Sequence, residues 1–461
     1  MKVLFVIAQL DYADHIAIPY LSAVAKAHNW ESELCVLAFE PLIKKIEDFR
    51  PDVVAYSANV FGYEVIRKEH CVAAQTFSFV SILGGPQATF SPNSFTESGM
   101  DAFCLGEGEA VFGEFLDRVK TGASFDDLPN LITRKRNNPV RPLIAELDSI
   151  PFPDRDITLA HSYLKDTPKK TFYTTRGCPY KCSYCCNNHY HNLYRGKGRF
   201  VRRFSVERII CEMELVMSKY RTDFIKIGDD CFALNVDQWL EEFAEQYRKR
   251  IGIPFNCYLR IDSIDESMLR LLKNAGCFSV HLSVDSTSKH VREKIFGRNF
   301  REIDIEGVLK MIHSFGINTW VNFMLAAPES TLEDDLETIR VSKRGKVTYP
   351  AFSTTVPMLG TDLYDYCLER NFIDESVHKS DMAGCNEKST LNCFSEREKN
   401  IRFNVYLTGA IIAKLPFPLD WLATQIIKVV PPNRFFRKLR QSVYLYHIEN
   451  KIFKLHLDKA R

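Results

Sequence analysis

The sequence predicts an α/β chain: an N-terminal doubly wound parallel sheet, a partial βα barrel after it, and a mostly helical C-terminal region. Two long series of short apolar runs alternating with amphipathic stretches imply parallel strands joined by crossover helices. A proline-punctuated polar stretch separates the two series, and the alternation fades after about residue 376. The chain has 461 residues, 46% hydrophobic and 26% charged, enough for more than one core. Its formal charge of +2 excludes a general polyelectrolyte surface, so no nucleic-acid partner is expected.

Residues 1–125 carry the first series. The runs KVLFVIAQL, ELCVLAF, DVVAYSAN, FVSILGG and AFCLGEGE read as strands, with helices around IPYLSAVAKAH and PLIKKIEDFR and another before the fourth run. Ligands of such sheets sit at the strand carboxyl ends. There Gly84, Gly85 and Pro86 follow one strand, and Gly106, Glu107 and Gly108 follow another. Residues 126–165, with prolines at 129, 139, 142, 151 and 153, are expected to be a linker.

The second series fills 166–375, with strands at TFYTTRG, DFIKIGDD, PFNCYLRID, SVHLSVDS and NTWVNFMLAAP. Helices are expected from about Ser205 to Tyr220 and around VDQWLEEFAEQYRKR, ESMLRLLKNAG and REIDIEGVLKMIHSFG. That is enough for a full or partial (β/α)6 barrel, whose chemistry occurs at the strand C-termini. Those termini carry Cys178, Asp229, Arg260, Ser283 and Pro328. Residues 376–461 are expected to form a helical substrate or accessory region.

The opening run is short and Asp11 and Asp14 follow at once, so it reads as a first strand and not a signal peptide. No stretch reaches the roughly 18–20 apolar residues of a membrane span, and a cytoplasmic location is expected, at most peripheral to a membrane. In a large chain of this kind the 14 cysteines read as thiols, some of them ligands.

Spacing singles out three. In Thr174-Thr175-Arg176-Gly177-Cys178-Pro179-Tyr180-Lys181-Cys182-Ser183-Tyr184-Cys185, a C-x3-C-x2-C loop follows a strand, and three soft ligands can converge on one metal centre. By ligand count alone Cys186 or His189 could complete a zinc site. A four-iron cluster explains the number three, because it leaves one iron open for a cosubstrate. The loop, with Tyr184 before the last cysteine, resembles the signature of the radical S-adenosylmethionine (SAM) superfamily, and the resemblance extends over most of 171–340. It implies a TIM-type barrel in which Cys178, Cys182 and Cys185 hold a [4Fe–4S] cluster and are catalytic. SAM would chelate the open iron, Tyr184 would lie near the adenine, and an electron from a donor such as flavodoxin or ferredoxin would split SAM into a 5′-deoxyadenosyl radical.

Other contacts follow from the same resemblance. Asp229 and Asp230 stand where many members have a Gly-Gly-Glu turn for the SAM amino group. Arg260, Ser283 and Asp285 would meet the SAM carboxylate and ribose, Ser283-Val284-Asp285-Ser286 standing where relatives often read Glu-Ser-Gly. Ala326-Ala327-Pro328-Glu329-Ser330 replaces the usual Gly-Leu-Pro-Gly-Glu, which puts contacts carried by backbone shape there in question.

Residues 1–125 resemble the Rossmann-like cobalamin-binding domain that precedes the barrel in one large subfamily, on the landmarks Leu83-Gly84-Gly85-Pro86 and Gly106-Glu107-Gly108-Glu109. Glycines there let backbone approach a large ligand, although tight turns need them too. The Asp-x-His-x-x-Gly motif that supplies a cobalt ligand is absent, since His15 directly follows Asp14; the resemblance then implies cobalt without that histidine. A tRNA methylthiotransferase would need a second cluster, but Cys35, Cys71 and Cys104 lie within strands and a helix and read as buried thiols.

Residues 431–461 mix aromatics with Arg434, Arg437, Lys438, Arg440, Lys451, Lys454, Lys459 and Arg461. That suits an interfacial helix or an ordinary helix with solvated lysines. Cys385 and Cys393 read as free thiols. The expectation is a cobalamin-dependent radical SAM enzyme that methylates an unactivated carbon of a small-molecule or lipid-like substrate. A radical cyclase or rearrangement enzyme, and a non-catalytic cobalamin-binding module, are the alternatives.

Overall fold

The computed structural model describes residues 1–10, 15–374 and 386–455. Two compact units divide the chain. The first comprises Met1–Thr167, His189–Phe204 and Leu215–Arg221; the second comprises Pro168–Asn188, Ser205–Glu214 and Thr222–Arg461.

The sheet of the first unit is built from β1 (Lys2–Ile7), β2 (Glu31–Val36), β3 (Val53–Ser57), β4 (Val80–Gly84), β5 (Ala102–Cys104) and β6 (Leu131–Thr133), in the order β2-β1-β3-β4-β5-β6. The first five strands are parallel and β6 is antiparallel to β5. Covered on both faces, β1 is apolar throughout its buried length from Val3 to Ile7, as buried parallel strands are. The order reverses at β1, which puts the ligand crevice of this sheet type outside the carboxyl ends of β1 and β3.

Residues 126–165, expected as a linker, belong to this unit. Leu131, Ile132, Val140 and Leu143 are buried, and Asn130 ties the segment down by donating to the Leu105 carbonyl at 2.7 Å and accepting from Arg141 N at 3.0 Å. Its prolines restrict the backbone to short elements such as the helix Asp156–Leu159 but do not prevent packing, because the apolar residues between them still gain by leaving water.

The second unit holds six parallel strands: β7 (Lys169–Phe172), β8 (Phe224–Ile227), β9 (Phe255–Leu259), β10 (Cys277–Asp285), β11 (Asn318–Leu325) and β12 (Tyr349–Thr354). They lie side by side in chain order with β7 and β12 as edges, an open, partial barrel. Caps fix the helices between them. Asp265 accepts from Met268 N at the start of Glu266–Ala275, which Gly276 ends at φ +106°, and Thr331 with Asp334 forms a capping box for Leu332–Arg344.

The C-terminal helices Glu396–Ile412, Leu419–Val429 and Arg434–His447 belong to this unit and are not a separate domain. Residues 401–409 are buried, and Arg402 is paired there with Asp335. Asp11, Asp14, Cys385, Lys459 and Arg461 lie outside the described residues.

Candidate active site

The cysteine loop leaves the carboxyl end of β7, and the neighbouring strand holds it in place. Asp229, two residues past β8, accepts from Thr174 N at 2.6 Å, Thr175 N at 3.1 Å and the Thr174 hydroxyl. Burial pushes its carboxyl up to about 6 against those hydrogen bonds. Asp229 therefore anchors the loop. The sequence reading set Asp229 against a SAM ammonium; in the structure it is buried, and these three donors belong to the loop itself.

Beyond the anchor, Cys178, Cys182 and Cys185 line one cavity of about 130 Å³ together with Asp230, Arg260 and Ser283. Among the described residues no three His, Cys, Asp or Glu side chains gather tightly around one point. Three thiols spread around one cavity suit a ligand wider than one ion, and by this test the residues fit a cluster. Burial pushes the Cys178 thiol up to about 12; iron binding would take up the thiolate and release that proton.

Arg298, which the sequence reading missed, is the organising cation. Its Nε lies 2.8 Å from Oδ2 of Asp285, its Nη2 donates to the Ser283 carbonyl at 2.7 Å, and its Nη1 donates to the Tyr184 hydroxyl at 3.3 Å and points at Cys182 Sγ at 3.8 Å. Tyr184 donates to the same Asp285 oxygen at 2.6 Å and meets Phe296 edge-on. Asp285 is thus buried as the hub of this network. Its φ of +64° follows a register shift between Ser283 and Asp285, and Asp tolerates that left-handed backbone better than most residues. No local pattern marks Arg298, since it lies 113 residues past Cys185 (298 − 185) in an irregular loop.

Asp230 accepts from Asn187 Nδ2 at 3.0 Å, and Asn187 also lies 3.8 Å from Cys185 Sγ. Arg260 stacks its guanidinium 3.7 Å above the Tyr180 ring while its Nε donates to Asp262 at 2.6 Å. Along the sheet face that the cavity opens on, Tyr258, His281, Trp320 and Tyr349 share one register across β9 to β12. His281 is sandwiched between Tyr258 at 4.2 Å and Trp320 at 4.5 Å. Burial lowers its pKa to about 3 against the opposing pull of the Asn322 side chain alongside, so the imidazole is neutral.

The turn after β11 answers the question raised by its missing glycines. Ala326 and Glu329 take φ of +55° and +62°, the conformation glycine would favour, so the backbone shape persists without them. Ala326 N is held by Asp335 at 2.9 Å.

In the first unit the two glycine landmarks part company. Gly85 has φ +91°, and a Cβ there would lie 2.9 Å from the Ala58 carbonyl; Gly84 next to it faces open space, with the buried Oε1 of Gln87 unpartnered nearby in sequence. Pro86 opens the helix Pro86–Phe90. This edge has the open backbone a large cofactor needs. Gly106–Glu107–Gly108 does not: a Cβ on Gly106 would fall 1.9 Å from the Tyr194 hydroxyl, which accepts from Glu107 N at 2.7 Å, and the Glu107 carboxylate is paired with Arg202 at 2.5 Å. Gly108 precedes the helix Glu109–Thr121. Cys35 and Cys104 are buried, with thiols pushed up to about 12.

Comparison with known proteins agrees with this anatomy. The radical SAM superfamily profile matches residues 172–341, and the B12 binding domain profile matches residues 4–116. The chain carries a radical SAM domain. A B12-binding domain precedes it, the arrangement found in cobalamin-dependent radical SAM proteins. An uncharacterized methyltransferase of Pyrococcus horikoshii is 28% identical over 73% of this chain and 74% of its own length. Cytidylyl-2-hydroxyethylphosphonate methyltransferase of Streptomyces wedmorensis is 22% identical, over 74% and 72%. An anaerobic magnesium-protoporphyrin IX monomethyl ester cyclase of Rubrivivax gelatinosus is 22% identical, over 75% and 65%. The radical SAM methyltransferase TsrM of Kitasatospora setae, solved with cobalamin and a [4Fe–4S] cluster bound, shares the fold at a TM-score of 0.66 and 16% identity, over 80% and 78% of the two chains.

Proposed function

We propose that this chain is a cobalamin-dependent radical SAM methyltransferase acting on an unactivated carbon of a small-molecule or lipid-like substrate. The observation that carries the reading is the single cavity lined by Cys178, Cys182 and Cys185 at the strand carboxyl ends, in a chain that also has a B12-binding domain. When bound, the cluster and SAM supply radical chemistry and cobalamin supplies a methyl group.

The protein's own residues do the positioning. The three cysteines hold iron, and Asp229 fixes their loop. Arg298 places positive charge beside Cys182 and, through Asp285, fixes the Tyr184 ring at the cavity wall. Asp230 and Arg260 offer a carboxylate and a guanidinium to the ammonium and carboxylate of SAM. Tyr258 and His281 line the cavity, and the neutral His281 imidazole, stacked between Tyr258 and Trp320, can hydrogen-bond a substrate without carrying charge. Gly84, Gly85 and Pro86 border the edge that would take cobalamin. Reduction is assigned to a flavodoxin or ferredoxin.

The test is anaerobic reconstitution with iron, sulfide and hydroxocobalamin, then SAM turnover with a strong reductant in wild type and Cys182→Ala. Deoxyadenosine lost in the variant, together with S-adenosylhomocysteine formed by wild type when substrate is supplied, is the expected result. The similarity to a cyclase favours a second reading, radical cyclisation or rearrangement, which would give deoxyadenosine without S-adenosylhomocysteine. No SAM cleavage by an intact cluster would overturn both.

A further inference from the structure

The helix Leu419–Val429 packs the wrong way round for a water-facing helix. Leu419, Leu422, Ile426 and Val429 recur at i, i+3, i+7 and i+10, one stripe of the helix, and this apolar stripe faces outward: Val429 is 77% exposed and the other three are about half exposed. Residues beside it in the chain are exposed as well, with Phe417 at 79%, Trp421 at 55% and Phe435 at 68%. Isolated exposed apolar side chains are normal, but seven large ones within 19 residues (417–435) exceed what a typical monomer leaves in water.

Charge selects what covers this patch. From Trp421 to Ile448 the sequence has no Asp or Glu, and it has Lys428, Arg434, Arg437, Lys438 and Arg440. The acid at the helix start, Asp420, is paired with Lys343. Arg434, Arg437 and Lys438 are exposed at the head of the helix Arg434–His447, which follows the stripe directly. A second copy of this chain docking by two-fold symmetry would set five cations against five cations, which is repulsive. Large aliphatic and aromatic side chains, a tryptophan among them, beside cations without acids match the headgroup boundary of an anionic bilayer. No helix among the described residues is long and apolar enough to cross a membrane, so the contact is interfacial.

We propose that residues 417–438 dock the enzyme on an anionic lipid surface, with the stripe of Leu419–Val429 entering the headgroup boundary and Arg434, Arg437 and Lys438 meeting lipid phosphates. The sequence alone pointed to residues 431–461; exposure moves the apolar half of the contact upstream of them. The proposal does not depend on the chemistry assigned to the barrel. It deepens the substrate class only in making a membrane the place where a lipid-like substrate is met.

The test uses the full-length reconstituted protein and two kinds of vesicle, pure phosphatidylcholine and an equal mixture of phosphatidylcholine with phosphatidylglycerol. We expect sedimentation with the mixed vesicles, weakened at least tenfold in pure phosphatidylcholine or by raised salt. A blue shift of tryptophan emission on binding should disappear in Trp421→Phe. Leu422→Ser/Ile426→Ser/Val429→Ser and, separately, Arg434→Glu/Lys438→Glu should each lose at least tenfold in binding. All these positions are exposed, so wild-type melting curves and unchanged uncoupled deoxyadenosine formation are expected in every variant. Wild type staying in the supernatant with both vesicles, undiminished binding by both variants, or a concentration-dependent dimer abolished by the serine variant would overturn the proposal. Vesicle binding without SAM cleavage would leave it standing while removing the proposed chemistry.

Discussion

Replacing Arg298 by methionine leaves Asp285 buried without its cation. At the observed 2.8 Å between Arg298 Nε and Asp285 Oδ2, the attraction is about 6 kcal/mol at an effective dielectric of about 20. Much of that offsets the desolvation of two ions, so the measured loss reflects the charge left stranded, about 3–5 kcal/mol. Urea unfolding of the apo chain can read it, because Trp239, Trp320 and Trp421, three of the four tryptophans, lie in the second unit. The double variant Asp285→Asn/Arg298→Met removes both charges and should recover at least about 2 kcal/mol relative to the sum of the single variants. The same Arg298→Met protein, with all three ligating cysteines intact, should retain less iron after reconstitution, because Nη1 no longer stands beside Cys182. A loss under about 1 kcal/mol, or strict additivity in the double variant, would refute the view of Arg298 as the organising cation.

Four further outcomes follow from the geometry. Gly106→Ala forces a Cβ to within 1.9 Å of the Tyr194 hydroxyl at φ +70° and should cost the first unit about 2–4 kcal/mol in thermal melts; combined with Tyr194→Ala it should cost less than the two changes added. Asp229→Asn leaves one acceptor oxygen for three donors, so reconstituted iron content should fall while SAM affinity of the loaded fraction stays; the reverse pattern would mean direct contact with SAM. Because the His281 pKa falls from 6.5 to about 3 on folding, its contribution is complete above pH 6.5 and is lost on acidification toward pH 3, at about 1.4 kcal/mol per pH unit; His281→Gln should show a correspondingly shallower slope between pH 6 and 4. Ala326→Gly, at a residue held at φ +55°, should raise the urea midpoint by the equivalent of about 1 kcal/mol, and a lowered midpoint would show that its methyl packing outweighs its backbone strain.

Asp229 shows how far sequence reasoning reaches into the site. Its place after a strand was legible, and so was its neighbourhood with the cysteine loop. Its role was not, because whether a carboxylate faces a cavity or the loop's own amides depends on which way the strand end turns. The Gly106–Glu107–Gly108 landmark is a second case. Glycines there could serve a cofactor or a turn, and only the positions of Tyr194 and Arg202, 88 and 95 residues away from Gly106 and Glu107 (194 − 106, 202 − 107), decide that the space beside them is taken. Residues 126–165 are a third, since prolines report backbone restriction and are silent about what the intervening leucines and valines pack on.

What the sequence determined by itself is local in origin. Alternating apolar periodicity set two parallel sheets with crossover helices, because side-chain burial repeats with the period of the element that carries it. Three thiols within eight residues, Cys178 to Cys185, specified a metal-cluster loop at a strand end, because ligands so close in the chain must converge. Tertiary structure alone decided what depends on residues distant in the chain. It assigned Arg298 to Cys182, Tyr184 and Asp285, aligned Tyr258, His281 and Trp320 across three strands, and turned the apolar stripe of Leu419–Val429 outward. Each of these rests on strand register or on which face of a helix finds a partner, and neither is encoded within the window of residues where the motif is read.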